Sequence, residues 1–251
     1  LFCQQNSACQ NHSGNLADHA NTILVALKNA EDTGTPIRIT QPDPLNQQPK
    51  ERVFTPRRFV QLLISALYSR ELTSLVPRAL SEAAQGNYQL LATINALAEA
   101  NHEQLSVAEG LYYSVVCNED RHNQPTQEHN SKTFLGVDII SEKIAVCTHW
   151  PKPHDPPLKS KTAQSSIPTL LLSGALDPVT PKIWADEVAK FFPNHQSIEV
   201  PGGNHVVSTL GCIPTLTAQF IQSPEKKLPS ECSQDIAPLP FYLGADQSAK
   251  Q

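Results

Sequence analysis

Methionine is absent from all 251 residues, position 1 included. The opening Leu1-Phe2-Cys3-Gln4-Gln5 has no basic region, no apolar core and no cleavage site, so it does not read as a secretory leader. A chain with neither feature reads as a processed product or a fragment, and the chemistry below favours the fragment. No apolar run approaches the roughly 18 residues of a membrane-spanning helix. Basic residues are outnumbered, 19 Lys and Arg against 24 Asp and Glu, for a net charge of −5. That leaves no electrostatic footprint for nucleic acid or an anionic membrane. No two cysteines stand as C-x-x-C, which argues against zinc ribbons and thioredoxin-like redox sites. His122, His129, His149 and His154 are scattered and form no i, i+4 pair with an acidic third ligand, so no metal site is expected.

What is present is proline, 21 residues, with abundant Asn and Gln and a hydrophobic fraction of only 39%. This is the composition of a loop-rich polar surface around a core, in a chain long enough for one large domain or two small ones. Six cysteines, Cys3, Cys9, Cys117, Cys147, Cys212 and Cys232, admit several complete connectivities. Pairing neighbours in sequence closes three short to medium loops and implies an oxidising compartment. Six reduced, buried thiols are the alternative. Asn11-His12-Ser13 matches the glycosylation triplet, a weak signal on its own.

The chain changes texture along its length. Apolar side chains at 16, 20, 23, 24 and 27 predict a helix over 15–30, stopped by Thr33-Gly34-Thr35-Pro36. Residues 37–40 alternate like a short strand, and 41–50 are a Pro/Gln/Asn loop. Thr55-Pro56 is a helix start, with Thr as cap and Pro in the first turn. Three helices follow, over 56–69, 71–85 and 88–102, with a break at Gly86-Asn87. Residues 111–117 have strand-like composition, with a buried helix start as the other reading. Residues 118–132 are a polar loop, and 150–166 are the best linker. Beyond it, 167–174 is a short continuous apolar run, as in a parallel strand buried on both faces. A helix over 181–192, a strand over 197–200 and a last helix over 206–222 complete a βαβα unit.

In open α/β sheets the working residues sit just past the carboxyl ends of the strands. After the first of these strands comes Ser173-Gly174-Ala175-Leu176-Asp177-Pro178-Val179-Thr180-Pro181; after the second comes Pro201-Gly202-Gly203-Asn204-His205. Alone, Asp177 could be a helix-capping Asp and His205 a surface loop His. Together, each after its own strand, they predict a carboxylate that orients one imidazole nitrogen and leaves the other free to take a proton. Gly202-Gly203 lets the loop turn sharply. Thr180 either braces the Asp177 loop or caps a helix.

These residues, with Gly211-Cys212-Ile213-Pro214 and Phe220-Ile221, carry a resemblance. The stretch 167–221 resembles the C-terminal end of α/β-hydrolases, and more closely the tripeptidyl aminopeptidase and proline iminopeptidase group. Ser114-Val115-Val116-Cys117-Asn118-Glu119-Asp120 is similar to the Cys-x-Glu-Asp segment of that group, and the cysteines sit where its secreted members place them. The resemblance implies the disulfides Cys3–Cys9, Cys117–Cys147 and Cys212–Cys232, a secreted or periplasmic location and no cofactor. It implies that Glu119 and Asp120 bind the protonated N-terminus of a peptide; a solvated acidic turn is the plainer reading. One departure is large: no Ser has Gly both two before and two after it, so the Gly-x-Ser-x-Gly nucleophile elbow is absent.

The expected fold is therefore α/β: the C-terminal portion of an α/β-hydrolase, its last parallel strands with flanking helices, plus a mainly helical lid. Residues 1–157 are expected to form the lid and 158–251 the core part with Asp177 and His205. The expected function is a serine exopeptidase releasing short peptides or single residues from free N-termini. It is present as an inactive fragment whose partners are that peptide substrate and the missing N-terminal half. An esterase-type hydrolase and a non-catalytic fragment or binding module are the alternatives.

Overall fold

The structure is a computed structural model that describes residues 2–43, 46–104, 108–119, 134–136, 140–152 and 164–244. The chain divides into two compact units, neither continuous in sequence. The first comprises Leu1–Leu16, Leu63–Glu82 and Thr162–Gln251; the second comprises Ala17–Leu62 and Ala83–Lys161.

In the second unit, helix α3 (Leu16–Asp32; α1 and α2 are the short Phe2–Gln5 and Ser7–Ser13) buries Ala20, Ile23 and Leu27 at helical spacing. Strands β1 (Arg38–Pro42) and β2 (Pro49–Val53) pair antiparallel, Arg38 opposite Val53. The Pro/Gln/Asn loop expected over 41–50 overlaps the start of β2. Its Pro-Lys-Glu-Arg-Val text carries no apolar alternation because its first three residues are exposed, so pairing with β1 alone makes it a strand. On β1 the buried positions are Ile39 and Gln41. Gln41 is satisfied there: its amide donates to Glu99 Oε2 at 2.8 Å and its Oε1 accepts from Asn95 at 2.8 Å. Both partners lie on α6 (Gln89–Gln104), which packs on β1.

Helix α4 (Pro56–Tyr68) starts where Thr55-Pro56 predicts, with the Arg58 N–H donating to Thr55 Oγ1 at 3.2 Å. Phe54, just before it, meets Phe59 and Tyr88 edge-on at 6.1 and 6.0 Å. Residues 109–118 form α7 (Glu109–Asn118), which decides between the two readings of 111–117 in favour of the helix. Of its aromatic and β-branched residues, Tyr112 and Val115 are exposed and Tyr113 and Val116 half-buried; Tyr113 packs against Trp150 at 5.3 Å. The Cys117–Cys147 disulfide ties α7 to α8 (Ile140–His149).

The first unit holds α5 (Arg70–Ala84) up to Glu82 and the βαβα text. Strands β3 (Thr169–Gly174) and β4 (His195–Val200) pair parallel in register from Thr169 opposite His195 to Gly174 opposite Val200, joined through α9 (Lys182–Ala189). Pro181 is the N-cap of α9, one residue outside the helix. The last helix is shorter than the pattern 206–222: α10 runs Ile213–Gln222, preceded by turns. The reason is local, since Val206 and Gly211 have φ of 66° and 46° and break any helix between them.

The core of this unit is Ile198, Val200, Val207, Ile213, Leu216 and Leu228, with Leu170 and Leu172 packed against it. The leucines of β3 are only partly buried, because among the described residues β3 pairs with β4 alone. The other side of β4 is covered. Gln196 donates to Lys226 O at 2.9 Å and accepts from the Leu228 N–H at 2.9 Å, and Gln234 donates to Glu199 O at 3.3 Å. The Cys212–Cys232 disulfide fastens that cover to the start of α10. The third disulfide, Cys3–Cys9, is buried with Phe241 and Leu243.

Candidate active site

The parallel register ends both strands at one edge. Gly174 closes β3 and Val200 closes β4, so residues 175–177 and 201–205 leave the sheet side by side. Backbone bonds lace the two turns together: Ala175 N–H to Val200 O at 3.0 Å and Leu176 N–H to Gly203 O at 2.9 Å. The approach requires glycine. A Cβ on Gly174 would overlap the backbone carbonyls of Gly203 and Asn204.

Asp177 and His205 meet in this edge. His205 Nδ1 lies 3.0 Å from Asp177 Oδ2. The carboxylate can only accept, so Nδ1 carries the proton and Nε2 is the basic nitrogen of the neutral ring. Three further donors converge on Asp177. Oδ1 accepts from the Val179 N–H at 2.8 Å and the Thr180 N–H at 3.0 Å; Oδ2 also accepts from the Thr180 hydroxyl at 2.7 Å. The Thr180 hydroxyl also lies 3.4 Å from His205 Nδ1. The Asp177 side chain is 5% exposed and that of His205 29%, so the carboxylate is enclosed while the imidazole reaches solvent.

Burial works against the charge on Asp177. The bonds from the Thr180 N–H, the Thr180 hydroxyl, the Val179 N–H and His205 outweigh it and hold the carboxyl below the ordinary Asp range. The charged, oriented carboxylate is the form that fixes an imidazole tautomer.

The sequence assigns no chemical role to two neighbours of the pair. Tyr68, at the end of α4, sets its ring edge-on to the His205 imidazole with centroids 4.9 Å apart. Asn204, 3% exposed, donates to Leu67 O at 2.7 Å and to Thr73 Oγ1 at 2.9 Å. More than 130 residues separate Asn204 from these partners, and no sequence spacing signals such a contact. Val206, directly after His205, is a β-branched residue at φ 66°, a strained conformation of the kind that gathers at working sites. A cavity of about 560 Å³ opens beside Asp177, lined mainly by apolar residues including Leu67, Pro77, Leu176 and Phe241.

Residues 132–232 match the TAP-like protein family model. The match supports reading this segment as the C-terminal part of a TAP-like α/β-hydrolase, a family that suggests a hydrolase. No curated protein and no solved structure matches the chain. The TAP-like segment contains Asp177, His205 and both turns that bring them together.

Glu119 follows α7 in the second unit, exposed, with its N–H bonded to Val115 O at 2.7 Å. Asp120 lies outside the described residues. All six cysteines are paired in sequence order, with Cα separations of 5.2, 5.0 and 6.4 Å, which fits an oxidising compartment. Among the described residues no group of three or more His, Cys, Asp and Glu could hold a metal ion, and no helix is long and apolar enough to cross a membrane.

Proposed function

We propose that Asp177 and His205 are the acid–base pair of a serine hydrolase, and that the hydrolase is an exopeptidase acting on free N-termini. The observation that carries this reading is the Asp177–His205 bond, made by a four-fold hydrogen-bonded carboxylate past the ends of two parallel strands in a TAP-like segment. His205 Nε2 takes the proton of a serine hydroxyl as that oxygen attacks the scissile carbonyl, then returns it to the leaving amine. Asp177 holds the tautomer and stabilises the imidazolium between the two steps.

The serine lies outside these 251 residues, because the sequence holds no Gly-x-Ser-x-Gly. In this reading residues 1–157 are the mainly helical lid and 158–251 complete the hydrolase core, although Leu1–Leu16 and Leu63–Glu82 fall in one compact unit with Thr162–Gln251. Glu119 and Asp120 offer carboxylates to the substrate ammonium. The three disulfides support a secreted or periplasmic location.

The test is steady-state kinetics on amino-acyl chromogenic substrates, free and N-acetylated. The 251-residue chain is expected to be inert. A longer polypeptide that supplies the elbow is expected to cleave free-amine substrates, to lose turnover with His205→Ala, and to raise KM with Glu119→Gln. Serine-inhibitor-sensitive turnover by the 251 residues alone would overturn the missing nucleophile. Equal rates on free and acetylated substrates would overturn the aminopeptidase reading and favour an esterase-type hydrolase.

A further inference from the structure

We propose that Asn204 is the positioning residue of His205, acting by clamping the turn after β4 to the corner between α4 and α5. The inference rests on the reading of His205 as the general base.

Asn204 is nearly enclosed, at 3% exposure, and both hydrogens of its amide are committed. One goes to Leu67 O at 2.7 Å, a carbonyl in the last turn of α4, where carbonyls lack a helical partner. The other goes to Thr73 Oγ1 at 2.9 Å, and that hydroxyl spends its own hydrogen on Ala66 O at 3.2 Å. A backbone carbonyl accepts only, so the amide orientation is determined. The same corner touches the next residue as well, because Tyr68 follows Leu67 and places its ring against the imidazole. The other side of the turn is equally confined, with the Asn204 carbonyl packed on the Gly174 backbone.

His205 Nδ1 therefore reaches Asp177 Oδ2 at 3.0 Å from a backbone held on two sides. Without the Asn204 clamp the turn loses its bonds to α4 and α5, and the imidazole can swing out of line with the carboxylate. A solvated imidazole prefers its proton on Nε2, which would leave Nε2 with no lone pair to take a nucleophile's proton and put the basic nitrogen at Nδ1. A buried asparagine that merely stabilised the fold would lower the melting temperature and leave the tautomer of the folded protein unchanged.

The experiment needs no nucleophile. Long-range proton–nitrogen NMR correlations on the nitrogen-15-labelled 251-residue chain report the tautomer of each histidine at alkaline pH, and His205→Gln assigns the signal. The Nδ1–H form is expected to dominate. In Asn204→Ala the ratio of Nδ1–H to Nε2–H falls roughly tenfold or more, as expected when the charge-assisted bond to Asp177 that favours Nδ1–H is lost. Thr73→Val removes one acceptor at nearly constant shape and lowers the ratio about two- to tenfold, and Thr73→Ser restores it. If Asn204→Ala does not fold, Thr73→Val carries the decision alone. A lowered melting temperature with an unchanged ratio in folded Thr73→Val overturns the proposal. An inert longer polypeptide with an intact elbow overturns the hydrolase reading and leaves the positioning result standing.

Discussion

Replacing Asp177 by asparagine keeps the shape of the side chain and removes one charge and one acceptor. The retained oxygen can still take the Val179 and Thr180 N–H groups, now without charge assistance. The new NH₂ group faces the Thr180 hydroxyl and His205 Nδ1, both of which donated to the carboxylate. The hydroxyl can turn to accept, but the imidazole must move its proton to Nε2. Charge-assisted bonds are worth about 1 kcal/mol more than neutral ones, so four weakened bonds, partly offset by the easier burial of an amide, leave a loss of about 2 kcal/mol. In a chain of this size that is roughly 4–8 °C in melting temperature. The loss depends on pH. The carboxyl titrates lower in the folded chain than in the unfolded one, so its stabilisation is complete above about 3.9 and fades as pH falls through the lower folded value. Melting curves of the two proteins across this range are therefore expected to differ most near neutrality and to converge in acid. Equal melting at neutral pH, or a gap that persists undiminished in acid, refutes the network as described.

Two further outcomes follow from the same unit. Replacing both Cys212 and Cys232 by serine opens a loop with a sequence separation of 20; loop-closure entropy puts the cost at about 3 kcal/mol, read by chemical denaturation, and a cost near zero would contradict it. Val206→Gly relieves a left-handed conformation that costs a side-chain-bearing residue about 1–2 kcal/mol, while glycine gives back roughly 0.5–1 in unfolded-chain entropy. Because Val206 is 64% exposed and loses little packing, the variant is expected to be neutral or slightly more stable. Destabilisation beyond about 1 kcal/mol would mean that the conformation is not strained.

Local chemistry made some elements legible and hid others. Thr55-Pro56 and Gly86-Asn87 act through their own backbones, so the helix boundaries at 56 and between 84 and 89 could be read directly. The Leu-rich run at β3 has the composition of a strand buried on both faces; it is a strand, but its leucines are half-buried and only Ser173 and Gly174 are buried. Where burial does not follow composition, the reading weakened: α7 exposes apolar residues, and β2 has none to alternate. The helix expected from 206 was lost to backbone angles that Val206 does not announce.

Sequence alone determined that an aspartate and a histidine each follow a strand, with glycines beside them, because strand ends and turns are written in short runs of neighbouring residues. It also supplied the disulfide pairing through resemblance and the absence of a nucleophile elbow. Tertiary structure alone decided that the two turns face each other in register, that the His205 imidazole meets the Asp177 carboxylate, and that Leu67, Tyr68 and Thr73 close on Asn204 and His205. Those contacts join residues far apart in the chain. They exist only once packing has selected one rotamer and one distance for each, and no local pattern encodes that choice.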